Sequence, residues 1–85
     1  MAREIRDDVL IRLKKIEGQT RGLQKMIDHG EDCAEIIHQL SAVRKALDKV
    51  GFLILTHRMR ECLEAGEDGC QERWDEAMRL FLSLA

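Results

Sequence analysis

From Val9 the apolar positions run Val9, Leu13, Ile16, Leu23 and Ile27, with Thr20 in register, in alternating steps of four and three. That rhythm predicts a long helix with a coiled-coil-like stripe. It should stop near His29-Gly30, because glycine is the favoured residue just past a helix end and Asp-rich sequence follows. Gly18 and Gly22 lie inside the helix and weaken it, and close packing against another backbone would account for them. Asp32-Cys33-Ala34-Glu35 has the form of a capping box, with Asp32 accepting from first-turn amides and Glu35 reaching back. A second helix repeats the rhythm at Ile36, Leu40, Val43, Leu47, Val50 and Ile54 and continues to about Leu63. At 1.5 Å per residue its roughly 32 residues extend about 48 Å. Ala65-Gly66-Glu67-Asp68-Gly69 reads as a turn, after which Trp74, Ala77, Met78, Phe81 and Leu82 form the apolar face of a short third helix. Two long helices joined tightly predict a hairpin, and three helices this unequal cannot close a core alone. A second hairpin completing an antiparallel four-helix bundle would solve that.

Composition sharpens the architecture. With 85 residues, 45% of them hydrophobic, residues 1–85 form one domain near the size at which a lone core is marginal, so oligomerisation is expected. The chain contains no Pro and is rich in Leu, Ala, Glu, Lys, Arg and Met, which favours an all-α fold. No apolar run approaches the roughly 20 residues that span a bilayer, and Met1-Ala2-Arg3-Glu4 does not open a signal peptide. A cytoplasmic protein with no membrane partner is the expectation. The net charge of −2 hides a gradient: residues 1–60 carry 12 Lys/Arg against nine Asp/Glu, residues 61–85 two against seven. The first two thirds therefore allow a basic face. No nucleophile-base pair or phosphate-binding loop is legible, and an enzyme is not expected.

Three cysteines in a reducing compartment point to reactive or metal-binding thiols rather than a disulfide framework, although buried inert cysteine is the plainer alternative. Cys33 opens the second helix and Cys62 nearly closes it, 29 residues apart. On one helix that is about 43 Å, too far for a shared metal or a disulfide within the chain. If the helix packs antiparallel against its symmetry mate, Cys33 of one chain falls beside Cys62 of the other, and each dimer gains two sites. The other reading is two unrelated cysteines.

The runs Arg12-Leu13-Lys14-Lys15-Ile16-Glu17-Gly18-Gln19-Thr20-Arg21-Gly22-Leu23, Asp32-Cys33, Gln39-Leu40-Ser41-Ala42-Val43-Arg44 and Glu61-Cys62 resemble the copper-sensitive operon repressor (CsoR) family over about residues 8–64. The resemblance implies three-helix chains that form dimers with an antiparallel four-helix core, usually as dimers of dimers. It also implies repression of efflux or detoxification genes, with operator DNA released when an inducer binds. Copper-sensing members carry a Cys early in helix 2, a His 25 residues on and a Cys four beyond, a trigonal Cu(I) site. This chain has Cys33 and Cys62 at the cysteine positions but Arg58 at the histidine position. His57 is one residue away, turned about 100° round the helix. Arginine is no metal ligand; its fixed charge repels a cation and favours thiolate. The departure resembles the persulfide-sensing (CstR-like) branch, in which sulfane sulfur links the two thiols across the dimer. A helix N-terminus at Cys33 and Arg58 near Cys62 both favour the attacking thiolate. Formaldehyde- and nickel/cobalt-sensing members need a His at position 58, which is lacking. Cys70 lies outside the pattern, in the acidic turn before helix 3, as a bystander or an accessory thiol. His29 should be solvated and His38 should sit on a polar face or interface.

No helix-turn-helix is visible. Arg12, Lys14, Lys15 and Arg21 on helix 1 and Arg44, Lys45 and Lys49 on helix 2 are available for phosphate contact, and Gln19 for a phosphate or base edge. Arg12 and Lys49 fall where the family resemblance implies DNA contacts; each is otherwise an ordinary solvated helix charge. The leading expectation is a DNA-binding repressor, homodimer or homotetramer, whose Cys33/Cys62 pair senses persulfide or polysulfide without a cofactor. The alternatives are a repressor binding Cu(I) through the same thiolates, and a helical metal buffer or sulfur carrier that does not bind DNA.

Overall fold

The computed structural model describes residues 3–66 and 68–84; Met1, Ala2, Glu67 and Ala85 lie outside the described residues, so the expected turn at 65–69 is seen without Glu67. Three α-helices and, among the described residues, no strand make up the chain: α1 (Arg3–Asp28), α2 (Cys33–Ala65) and α3 (Cys70–Leu84). The all-α expectation holds. No helix among them is long and apolar enough to cross a membrane.

The helix ends are fixed where local chemistry places them. At the close of α1, Gly30 adopts φ +67°, the Gly30 amide donates to the Ile27 carbonyl at 3.1 Å and the Glu31 amide to the Met26 carbonyl at 3.0 Å. This is a Schellman closure, and it requires a residue tolerant of the left-handed region. Two residues after Gly30 the Asp32 carboxylate accepts from the Ala34 amide at 3.2 Å and starts α2. Gly66, with φ +64°, ends α2 at Ala65, two residues beyond the expected Leu63, by donating to the Cys62 and Leu63 carbonyls.

The short connection folds α1 and α2 into an antiparallel hairpin closed by Val9, Ile16 and Leu23 against Val43 and Val50, with Ile5, Met26, Ile36, Ala46 and Ile54 partly buried round them. Every second member of the sequence stripe is buried. The other members, Leu13, Ile27 (63% exposed), Leu40 (49%) and Leu47 (47%), face outward, in keeping with the expectation that one chain cannot close its core alone. Thr20, in the same outward set, returns its hydroxyl to the Ile16 carbonyl at 2.9 Å. The reason is geometric. Residues offset by four lie about 40° round the helix from the contact line, and two helices alone cover only that line. Antiparallel helices turn in opposite senses seen from one end. Both offset stripes therefore emerge on the same side of the hairpin, giving one apolar face.

The molecule measures 53 × 27 × 13 Å, and its shortest dimension is the thickness of one helix. Gly18 and Gly22, expected to meet another backbone, meet none within the chain: a Cβ on either has nothing within 4 Å. Close approach occurs instead at Gly51, where α3 crosses α2 and an added Cβ would lie 2.9 Å from Cε1 of Phe81. Trp74, Ala77, Met78 and Phe81 form the inner face of α3 as expected, but Leu82 is 61% exposed and does not belong to it.

Gly51→Ala sets two effects against each other. Alanine gains up to about 1 kcal/mol of helix propensity, whereas overpacking against an aromatic ring costs about 1–3 kcal/mol. A lower melting temperature is expected, recovered by adding Phe81→Leu. An unchanged or raised melting temperature in the single variant would show that α3 yields freely.

Candidate functional site

The turn that ends α2 carries Gly66 and Gly69 (φ +79°), both in the left-handed region, and reverses the chain so that Cys70 opens α3. Arg73 holds the turn by donating from Nη2 to the Asp68 carbonyl at 2.9 Å, and its amide bonds the Gly69 carbonyl at 3.1 Å. Cys70 is thereby returned to Cys62. Their Cα atoms are 5.9 Å apart and their sulfurs are joined in a disulfide, the Cα separation being within the roughly 4.4–6.8 Å that such a bond spans. Cys70 is 8% exposed. Of the two expectations for Cys70, a bystander or an accessory thiol in the turn, the bystander is corrected: Cys70 is the first residue of α3 and the partner of Cys62. The bond departs from the expectation of reactive or metal-binding thiols rather than structural disulfides, and leaves the separation of Cys33 from Cys62 along α2 as expected.

Around this pair is a cleft of about 410 Å³ lined by Arg58, Met59, Glu61, Cys62, Cys70, Arg73, Trp74 and Ala77. Arg58 reaches it from one helical turn before Cys62, as the i,i+4 spacing requires. His57 does not line it. Its ring is turned towards the packed side of α2, 16% exposed, with Nε2 3.7 Å from Oε1 of Glu61.

Cys33 is exposed and free at the opposite end of α2. Twenty-nine residues make about eight turns, so Cys33 and Cys62 lie within about 20° of each other round the helix. Ile37, Leu40, Arg44 and Leu47 follow the same line between them, and Ile37, Leu40 and Leu47 are exposed. The thiols thus mark the two ends of the apolar face.

The expected DNA-contact residues do not share one surface. By helical rotation Arg12, Lys15 and Gln19 on α1 and Lys49 on α2 lie towards the side of the hairpin opposite the apolar face. Lys14 and Arg21 lie on the outer edge of α1 and Lys45 on that of α2, and Arg44 belongs to the apolar face. Arg12 is tied to Asp8 at 3.2 Å and Arg21 to Glu17 at 2.9 Å, each by an i,i+4 ion pair. Lys14, Lys15, Lys45 and Lys49 are exposed. His29 and His38 are exposed, His29 as expected beside the turn. Among the described residues no three His, Cys, Asp or Glu side chains of this single chain gather as a metal site.

The sequence model of the metal-sensitive transcriptional repressors matches residues 5–83. This chain belongs to the metal-sensitive transcriptional repressor family. It is 38% identical over 58 residues to the copper-sensing transcriptional repressor CsoR of Bacillus subtilis (strain 168), covering 68% of this chain and 57% of that one. The chain thus spans less than two thirds of that relative's length. The transcriptional repressor RcnR of Salmonella typhimurium is 38% identical over 86 residues, covering 99% of this chain and 93% of that one. The solved structure of the nickel-responsive transcriptional regulator InrS superposes with a TM-score of 0.77 at 36% identity, covering 88% of this chain and 90% of that one. The resemblance carried by helices 1 and 2 is therefore a family relationship. In this repressor-family chain sequence reasoning did not name Arg73 and did not bring Cys70 and Trp74 to the cleft at Cys62; all three lie beyond residue 64. A usable signal was present: two glycines bracket a turn, with cysteines close on either side.

The disulfide predicts a labelling pattern. Native chain purified without reductant should take up one maleimide, at Cys33, and three after reduction and unfolding, as read by intact mass. Labelling at Cys62 and Cys70 before reduction would contradict the pairing.

Proposed function

We propose that this chain is a DNA-binding transcriptional repressor, acting as a homodimer or homotetramer, in which the reduced thiols of Cys33 and Cys62 sense sulfane sulfur. The observation that carries the reading is the placement of both cysteines at opposite ends of one exposed apolar face, with Arg58 beside Cys62. Two copies packed antiparallel through that face would cover Leu40 and Leu47, form a four-helix bundle, and set Cys33 of each against Cys62 of the other. Arg58 supplies charge but no ligand, which suits an anionic sulfur donor better than a cation. Residues 1–85 act as one sensor and DNA-binding domain in this reading. The site is a property of the reduced chain, because a Cys62 bonded to Cys70 has no thiol to offer.

Arg12, Lys15, Gln19 and Lys49, on the side opposite the thiols, would meet the phosphate backbone, with Lys45 at the outer edge of α2 beside them. A persulfide or polysulfide bridge across the paired α2 helices changes their packing, and the DNA-contacting side of the same hairpin shifts with it. Similarity to a copper-sensing repressor supports a second reading in which Cu(I) takes the two thiolates in near-linear geometry.

Lys15→Ala and Lys49→Ala should each weaken operator binding and lower its salt slope by about one, whereas Arg44→Ala should leave the slope unchanged. Slopes that do not respond at Lys15 and Lys49, measured by fluorescence anisotropy across a salt series, would move the DNA contact elsewhere.

The switch is tested on the reduced protein bound to operator. Polysulfide should release the DNA and give a dimer-sized band on non-reducing gels, with Cys33 of one chain linked to Cys62 of another. Cys33→Ser or Cys62→Ser should abolish the band and leave binding by the reduced protein intact. Release by stoichiometric Cu(I), with the complex indifferent to polysulfide, would replace sulfur with copper as the inducer.

A further inference from the structure

We propose that Cys62 and Cys70 are a thiol–disulfide couple within one chain, with Cys70 the resolving thiol and the Arg58–Arg73 cleft the seat of an anionic low-mass persulfide. This rests on the sulfane-sulfur reading above and adds the form of the donor and a second fate for Cys62.

Three observations carry it. The turn through Gly66 and Gly69 presets a Cα separation of 5.9 Å between the two cysteines, so they pair without moving α2. Both cysteines line one cleft of about 410 Å³, room for a small organic molecule rather than a single ion. Two guanidinium-bearing side chains, Arg58 and Arg73, line that cleft with Trp74, Met59 and Ala77. Guanidinium groups recognise carboxylates by paired, charge-assisted hydrogen bonds, and the apolar wall accepts a carbon framework. Glu61, 3.7 Å from His57, adds one carboxylate to the lining, a counter-charge suited to the ammonium group of an amino-acid-like carrier. The fitting donor is the persulfide of a carboxylate-bearing thiol.

The Cys62 thiolate attacks the terminal sulfur of the donor RS–SH, forming a Cys62–SSH persulfide and expelling RS⁻. The Cys70 thiolate then attacks the Cys62 sulfur and expels hydrosulfide. Two protein thiols are oxidised to one disulfide, one sulfane sulfur is reduced to hydrosulfide, and the two protons leave on the expelled thiolate and hydrosulfide. Cys62 holds one partner at a time, so Cys70 sets the division between this local disulfide and a bridge to Cys33 of a second chain.

The full reduced chain is treated with glutathione persulfide or, in parallel, with the persulfide of the uncharged thiol N-acetylcysteamine, then quenched, alkylated and mapped by mass spectrometry without reduction. A Cys62–Cys70 linked peptide at monomer mobility should form with release of one hydrosulfide per linkage. Cys70→Ser should lose it and raise the share of Cys62 found as persulfide or bridged to Cys33. Arg58→Gln, which leaves the Arg73 bond to the turn in place, should react about tenfold more slowly with glutathione persulfide, the usual order for lost electrostatic attraction, while its unchanged rate with the uncharged donor reports an intact thiol pair. Cys70 alkylated as fully after treatment as before overturns the couple, and equal slowing with both donors overturns the cleft as the seat. Operator release with a Cys33–Cys62 bridge and untouched Cys70 would refute this inference alone. A Cys62–Cys70 disulfide in the native chain, with the operator still bound in Cys70→Ser after its Cys33–Cys62 bridge has formed, would keep the couple and refute the sulfane-sulfur repressor.

Discussion

Everything in this chain depends on one line of contact, the meeting of Val9, Ile16 and Leu23 with Val43 and Val50 along an antiparallel hairpin. A line is all that two helices share, and a third short helix covers only part of one side. An 85-residue chain packed as a sphere has a radius of gyration near 12 Å, whereas this one reaches 16.4 Å. The difference is the cost of building in a single layer. No large side chain among the described residues is wholly buried, and the apolar positions one step off the contact line remain open to a second layer.

Much of this was legible in the sequence because it depends on local rules. The four-three rhythm located both long helices, Gly30 and Asp32 marked the break between them, and the spacing of Cys33 and Cys62 put both on one face. The division of the stripe into buried and outward members was not legible. Val9 and Leu13 are equally apolar, and only the number of helices present decides which is covered. The basic residues behaved similarly. A count of Lys and Arg cannot separate Lys49 from Arg44, but a five-residue offset carries them to different sides of the hairpin once the contact line is known.

The thiol arrangement shows a different limit. Cys70 follows the stretch over which the repressor motifs are recognisable, and its pairing with Cys62 is made by the turn. Two left-handed glycines and the Arg73 hydrogen bond to Asp68 reverse the chain and decide the neighbour of a sulfur. Residue spacing along a straight helix, which relates Cys33 to Cys62, says nothing of this.

A slab one helix thick has no interior to insulate its two sides. The thiols and outward leucines lie on one side, and Lys15 and Lys49 lie towards the other, separated by the single row of Val, Ile and Leu side chains between α1 and α2. In a thick globular protein a local strain is absorbed by successive shells of side chains before it crosses the molecule. Here there is one shell, and a displacement of α2 is handed to α1 by atoms that touch both. Thinness, a weakness for stability, makes the hairpin a short conductor of mechanical strain.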